Sequence, residues 1–428
     1  MTPRPATAPP PEPQPRIPRT IWALGFVSLF TDLGSEMVHG LLPLLMAGTL
    51  GASALVIGLV EGAAEALVLV TKVFSGYVSD AMGRRKPLVL LGYGLAALAK
   101  PLFPLADSIA TVTTARLLDR FGKGIRGAPR DALLGDLAPP SIRGACFGLR
   151  QSMDTAGAVL GPLAAVALLW VFADDIRTVL WFAVLPGLVS VALLLTVVPE
   201  PGDGGRRPAR LPITREGMAH LGTAFWGVVA VGALVSLARF SEAFLVLRAA
   251  ERGMPLTFIP LVLVVMSGAY MLSAYPAGRL SDKLPRAAVL ATGMAVLVGA
   301  NIVLALAQGY AMLFAGIALW GLHMGLTQGI LASLVADVAP AEFRGTAFGV
   351  FSLVSGAGLL AASALAGLLW DTVSPATTFA AGAVIAVVAT LAALRLLPSK
   401  AGGTAPTAQR PEAAAKSRRD SDRDVSRR

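Results

Sequence analysis

Asp136-Leu-Ala-Pro-Pro-Ser-Ile-Arg143-Gly144-Ala-Cys-Phe147-Gly148 returns about 201 residues later as Asp337-Val-Ala-Pro-Ala-Glu-Phe-Arg344-Gly345-Thr-Ala-Phe348-Gly349, with seven of thirteen positions identical and no gap. A second pair, Gly76-Tyr-Val-Ser79-Asp80 and Gly278-Arg-Leu-Ser281-Asp282, repeats at nearly the same offset. Both repeats fall at equivalent ends of apolar stretches, so the two copies share one orientation. Parallel repeats around a central linker are the layout of an alternating-access transporter, with its site between the halves near the midplane.

Working outward from the repeats, the apolar stretches dominate. Hydrophobic residues make up 55% of the 428 positions and charged ones only 14%, about half the charge of a soluble domain. Too little polar surface is left to solvate domains of this size. The single cysteine, Cys146, excludes a disulfide scaffold or a thiolate metal cluster. Residues 178–199, 221–238, 253–278, 345–370 and 372–394 carry no Asp, Glu, Lys or Arg, and Ala287 to Ala336 has only His323. A spanning helix needs about 20 apolar residues. The expected fold is therefore an all-α integral membrane protein with twelve spans, near 20–47, 54–80, 87–106, 108–132, 144–172, 177–198, 219–248, 255–278, 287–307, 309–336, 346–370 and 375–397.

The net charge of +10 is spread over short loops and the tail, which argues against nucleic acid as a partner. One set of alternate loops, with the N-terminal segment, holds sixteen Lys and Arg; the other holds only Arg177, Arg248 and Arg252. That bias puts both termini in the cytoplasm of a multi-pass protein of the bacterial inner membrane. The expected organisation is a disordered leader (1–19, with eight prolines in its first 18 residues), a six-helix bundle (20–198), a cytoplasmic linker (199–218), a second six-helix bundle (219–397) and a disordered tail (398–428). Trp22, Trp170, Trp181, Trp226 and Trp370 lie near span ends and read as interface anchors.

Gly76-Tyr-Val-Ser-Asp80-Ala-Met-Gly83-Arg84-Arg85-Lys86, between spans 2 and 3, resembles the loop signature Gly-x-x-x-Asp-x-x-Gly-Arg-Arg-Lys of the major facilitator superfamily. The resemblance covers about 20–397 and implies two pseudo-symmetric six-helix bundles rocking about a central cavity, in a monomer. It also implies a conformational latch at Asp80, Arg84 and Arg85 with Gly76 and Gly83, the carboxylate facing a helix N-terminus of the other half. The second copy is degraded, with Pro285 where Gly83 stands. In span 5, Gly157-Ala-Val-Leu-Gly161-Pro162 resembles the core of a signature found in proton-coupled exporters of that family. The glycine pair that would follow is replaced by Ala165 and Val166, and a tightly packed helix accounts for the motif equally well.

A charge at membrane depth costs about 2.5–3.5 kcal/mol, so each needs a partner or a task. The first half carries Asp32, Glu36, Glu61, Glu65, Asp119 and Asp154 against Lys72, Lys100, Arg116, Arg120, Lys123 and Arg150; the second has little beyond Arg239 and Glu242. Helical spacing places Asp32, Glu36 and His39 on one face of span 1 and Arg116, Asp119, Arg120 and Lys123 on one stripe of span 4. Asp32, Glu65, Asp119 and Asp154 reach roughly 15–18 Å of depth, near the midplane. One reading is a structural lattice in which acids and bases pair off. The other makes Asp32, Glu36, Glu65 or Asp154 a proton carrier, with Asp32 foremost because span 1 holds two acids and no base. Arg116 or Arg120 would then modulate that acid. Arg116, Asp119, Arg120, Lys123 and, from the other half, Glu242 are candidates for substrate or coupling contacts. Arg116, Arg120, Lys123 and Arg126 could instead recognise an anion. His39 and His323 read as neutral hydrogen-bonding residues.

These features point to a secondary transporter of a small molecule, coupled to protons and exporting. A proton-coupled importer of an organic anion and a non-transporting membrane sensor are the alternatives. No catalytic pattern, nucleotide loop, metal site or cofactor site is visible, so no enzyme activity and no cofactor are expected.

Overall fold

Backbone N–H and C=O groups in hydrocarbon must find partners within their own segment, which drives each charge-poor run into a helix. A computed structural model describes residues 17–200, 213, 215–281 and 283–397. The expected leader as far as residue 16, linker residues 201–212 and 214, and the tail 398–428 lie outside them. Twelve helical spans follow in order: α1 (Arg19–Leu44), α2 (Ala54–Met82), α3 (Lys86–Ala99), α4 (Ile109–Leu137), α5 (Arg143–Val171), α6 (Ile176–Thr196), α7 (Thr223–Glu251), α8 (Leu261–Ser281), α9 (Arg286–Leu306), α10 (Tyr310–Val338), α11 (Arg344–Thr372) and α12 (Pro375–Leu396). No strand occurs among the described residues. Among the described residues eleven of these spans, α3 with its continuation to Leu105, are long and apolar enough to cross a membrane, and the protein is a multi-pass membrane protein. The exception, α4, has 29 residues but carries the Arg116–Lys123 stripe.

Local signals set the ends. Ser53, Ser108 and Ser374 each accept a hydrogen bond from the amide three residues on, capping α2, α4 and α12. Asp175 caps α6, accepting from the amides of Arg177 and Thr178 and the Thr178 hydroxyl; those bonds hold its carboxyl below the usual carboxylate range. Gly83 ends α2 at φ 67°, a left-handed conformation, with its N–H on the Ser79 and Asp80 carbonyls.

In the first half α1 packs on α5 and α2 on α4; in the second, α9 packs on α10 and α12, and α8 on α10. The halves meet along α2–α11 and α5–α8. Their apolar cores are fused at one end only. Met37, Leu41, Leu45, Ile57 and Phe103 of the first half share one cluster with Phe244, Leu263 and Ala366 of the second. At the opposite end, where α1 begins, Ile21, Leu24, Val89, Leu133, Cys146 and Leu194 form a separate core within the first half. The fused end is called the far end below, and the end where α1 begins the terminal end.

The spacing predicts one continuous helix through 219–248. The structure breaks it into α7a (Thr223–Ala238) and α7b (Ala243–Glu251). Neither Pro nor Gly stands in Arg239-Phe240-Ser241-Glu242, so tertiary contacts hold the break. The Phe240 ring lies 5.1–5.5 Å from those of Phe244, Trp320 and Phe379. The Ser241 amide donates to the Ser363 hydroxyl at 3.1 Å, replacing a lost helical bond. Trp370, read from sequence as an interface anchor, adds its ring to this cluster at 5.8 Å from Phe244.

Candidate functional site

Most charges inside the first half are neutralised in pairs. Arg116 of α4, fully buried, donates to Glu61 of α2 at 2.5 Å. Arg120 lies 3.4 Å from Glu65 and 3.8 Å from Asp119. Lys100 is buried beside α4; its Nζ stands 3.6 Å from Asp119 and donates to the Ser35 hydroxyl at 3.1 Å. Arg126 sits over the Tyr93 ring at 4.6 Å. At the terminal side, Asp154 of α5 lies 3.7 Å from Arg130 and 3.6 Å from Arg150.

Two acids stay outside this lattice. Among the described residues neither Asp32 nor Glu36 of α1 has a cation within 4 Å. Both are half-buried. The Asp32 carboxyl neighbours that of Asp154, and Lys123 and Arg126 are among the cations whose charge reaches it. Arg116 and Arg120, expected to modulate Asp32, are taken up by Glu61 and Glu65. The four acids expected to converge thus divide into a carboxyl pair, Asp32 with Asp154, and a chain running Lys100–Asp119–Arg120–Glu65. Gly157 and Gly161 of α5 pack directly against α1 beside Asp32 and Glu36, with Pro162 buried next to them.

His39 joins the two halves. Its Nδ1 stands 2.8 Å from the Arg116 guanidinium, which can only donate, so Nδ1 accepts and the ring proton falls on Nε2. That nitrogen faces Glu242 of the second half at 3.3 Å. A small cavity of 40 Å³ at this junction is lined by His39, Glu65, Arg239, Ser241, Glu242 and Ser363. The break in α7 therefore opens onto the charged seam, and irregular backbone at membrane depth is tolerated where it lines a cavity. A second, polar cavity of 390 Å³ lies between α8 and α10, with Tyr270, Ser281, Gln328 and Ser333 on its wall.

Sequence reasoning missed both the His39 bridge and this second cavity. The bridge spans residues 203 positions apart on different halves, which no helical spacing connects. The cavity left one faint sign, the small and polar face of Gly325, Gln328 and Gly329 at i, i+3, i+4.

The latch residues lie at the terminal end of α2. Gly76 packs on Ala128 of α4. Arg85 donates to Asp80 at 2.5 Å and to Ser79 at 2.8 Å, and lies 3.5 Å from Asp136, all within its own half. Glu200 accepts from the Arg85 and Lys86 amides at the start of α3. Arg84 is exposed.

Comparison with known proteins agrees with this architecture. The family model described as the Major Facilitator Superfamily matches residues 24–248 and 229–421. The chain is 33% identical over 380 residues to the MFS-type transporter MJ1317 of Methanocaldococcus jannaschii, covering 87% of this chain and 94% of that one. It is 27% identical over 393 residues to the inner membrane transport protein YajR of Escherichia coli, covering 86% and 81%. Among solved structures, a bacterial homolog of the human lysosomal transporter Spinster, inward-facing and unoccupied, superposes with a TM-score of 0.70 at 16% identity, covering 90% of this chain and 98% of the other.

Proposed function

Because the chain belongs to the Major Facilitator Superfamily of membrane transporters, we propose that it is a proton-coupled exporter of a small solute, with Asp32 as the proton carrier. One observation carries this reading: Asp32 stands outside the ion-pair lattice, with the carboxyl of Asp154 as its acidic neighbour. Two adjacent carboxylates at membrane depth are costly, so the pair holds one proton between them. Loss of that proton leaves two like charges as neighbours, and Lys123 then draws Asp32 toward α4. α1 shifts against α5, and the His39–Glu242 contact passes the shift to the other half. Glu36, also without a cation, is the second acceptor on the same helix face.

The sixteen-to-three bias of basic residues supports cytoplasmic termini, and likeness to the inner membrane transport protein YajR supports the same membrane here. In that orientation the terminal end faces the cytoplasm, and a monomer with the small solute in the seam completes the reading. The 20–198 and 219–397 bundles are the two rocking bodies. Export rests on the Gly157-Gly161-Pro162 motif.

Import of an organic anion is a second reading. It is favoured by Arg239, a half-buried guanidinium on the junction cavity with no acid within 4 Å among the described residues.

The test is substrate-induced proton movement in proteoliposomes, comparing the native protein with Asp32→Asn over a panel of cationic drugs and organic anions. Proton movement that the substitution abolishes supports the proposal, and the responding class selects between the two readings. Solute movement without protons makes the protein a facilitator and Asp32 a structural residue.

A further inference from the structure

The start of α2 depends on the other half of the molecule. A helix leaves the N–H groups of its first turn without internal partners. Here the Val56 amide is bonded by Ser53, one residue before the helix. The other two are bonded from α11: the Ala54 amide donates to one carboxylate oxygen of Asp371 at 3.0 Å and the Leu55 amide to the other at 2.8 Å. Asp371 lies near the C-terminal end of α11 and is exposed. Its charge also faces the positive end of the α2 dipole.

α2 and α11 run antiparallel and touch along their length, from Ala54 beside Gly367, through Ala66 beside Gly356, to Val73 beside Gly349. Continuing this register past Val73 brings Asp80 level with the turn Ala341–Phe343 that precedes α11. The start of α11 has no side-chain cap. Asp80, near the C-terminal end of α2, is bonded to Arg85 instead. Each helix thus carries, near its C-terminal end, an aspartate level with the beginning of the other. At the far end the aspartate is bonded across the halves, and at the terminal end Asp80 is bonded within its own half.

We infer that Asp371 is a far-end latch, the counterpart of Asp80, and that engagement of one accompanies release of the other as the halves rock. The chemistry is the same at both ends: a carboxylate replaces water on the orphan amides of a helix in the opposite half. Asp174 accepting from the Thr257 hydroxyl at 2.6 Å adds to the far-end closure. The inference rests on alternating access of the two halves and not on proton coupling or on the direction of transport.

The experiment reads the conformational equilibrium without substrate or gradient. Spin-label distances are measured across the far end (labels at Asp107 and Gln308) and the terminal end (Ser141 and Leu284) in the native protein, Asp371→Asn, Asp80→Asn and Ser53→Ala. Asp371→Asn is expected to raise the ratio of far-end-open to far-end-closed molecules about fivefold, the change that accompanies loss of a helix cap. Asp80→Asn shifts the ratio the opposite way. Ser53→Ala, which removes a cap made within one half, leaves it unchanged. An unchanged ratio in Asp371→Asn overturns the inference, as does an equal shift in Ser53→Ala. Amide exchange at Ala54 and Leu55 gives a second reading: it speeds up in Asp371→Asn if the latch exists and stays as in the native protein if it does not.

Discussion

Gly157 of α5 lies against Asp32 of α1: a Cβ added at Gly157 would stand 3.1 Å from the Asp32 Cβ and 2.5 Å from the Leu29 carbonyl oxygen. One turn on, a Cβ at Gly161 would stand 3.0 Å from the Glu36 Cβ and 2.5 Å from the Leu33 carbonyl oxygen. Two glycines four residues apart therefore meet two acids four residues apart. The motif that resembled an exporter signature and the acids outside the lattice are one piece of structure.

Gly157→Ala and Gly161→Ala should push α1 away from α5, because the blocking atoms are backbone and cannot rotate aside. Overpacking of this kind costs about 1–3 kcal/mol. Transport is expected to fall at least about tenfold, since a shift of this size moves Asp32 and Glu36 out of place. Transport rate and thermal unfolding of the two variants, measured side by side, check this. A normal rate in both would detach the glycines from the acids.

Arg116 has no access to water and leans on Glu61. Replacing Glu61 with Gln leaves a buried cation with only His39 beside it, and breaking a buried pair this way costs about 3–5 kcal/mol. Removing both charges, as Glu61→Gln with Arg116→Gln, should recover much of that loss. Thermal unfolding in detergent of the single and double variants measures the coupling. Equal stability of all three would mean that the pair contributes nothing.

His39 should matter through the donor on Nε2. His39→Gln keeps an N–H able to reach toward Glu242, whereas His39→Ala removes it and leaves Glu242 with no partner from the first half. Transport is expected to survive in the Gln variant and to drop about tenfold in the Ala variant, which loses the close approach to Glu242, a charged contact of about 1.5 kcal/mol. If the Gln variant fails as badly as Ala, protonation of the ring, and not its hydrogen bond, is what the bridge uses. A pH profile of transport in both variants separates the two.

Much of this was legible in the sequence, for physical reasons that differ from part to part. Runs without charge gave the helices, since hydrocarbon admits little else. Asp32 and Glu36 stood out because span 1 carries no base, and in the structure neither has a cation within 4 Å among the described residues. The break in α7 was hidden because nothing local causes it: Phe240 is pulled into an aromatic cluster supplied by α10 and α12, and Ser241 is bonded by α11. Pairing across helices was equally out of reach. Helical spacing put Arg120 and Asp32 at like depths but could not show that Glu65 would claim Arg120 first.

Arg239 decides what the seam can accept. It sits in the unwound part of α7, on the wall shared with Glu65 and Glu242, and both of those acids already face a partner, Arg120 and His39. An anionic solute would thus find its guanidinium available, while a cationic one would meet two occupied carboxylates. Arg239→Gln is expected to raise KM for an organic anion about tenfold, the loss of one charged bond, with little change in kcat. The same substitution should leave KM for a cationic solute level or lower, because it removes a repelling charge. Uptake kinetics with one solute of each class measure the split. A KM for the anion that does not move would remove Arg239 from the site and, with it, the main support for anion import.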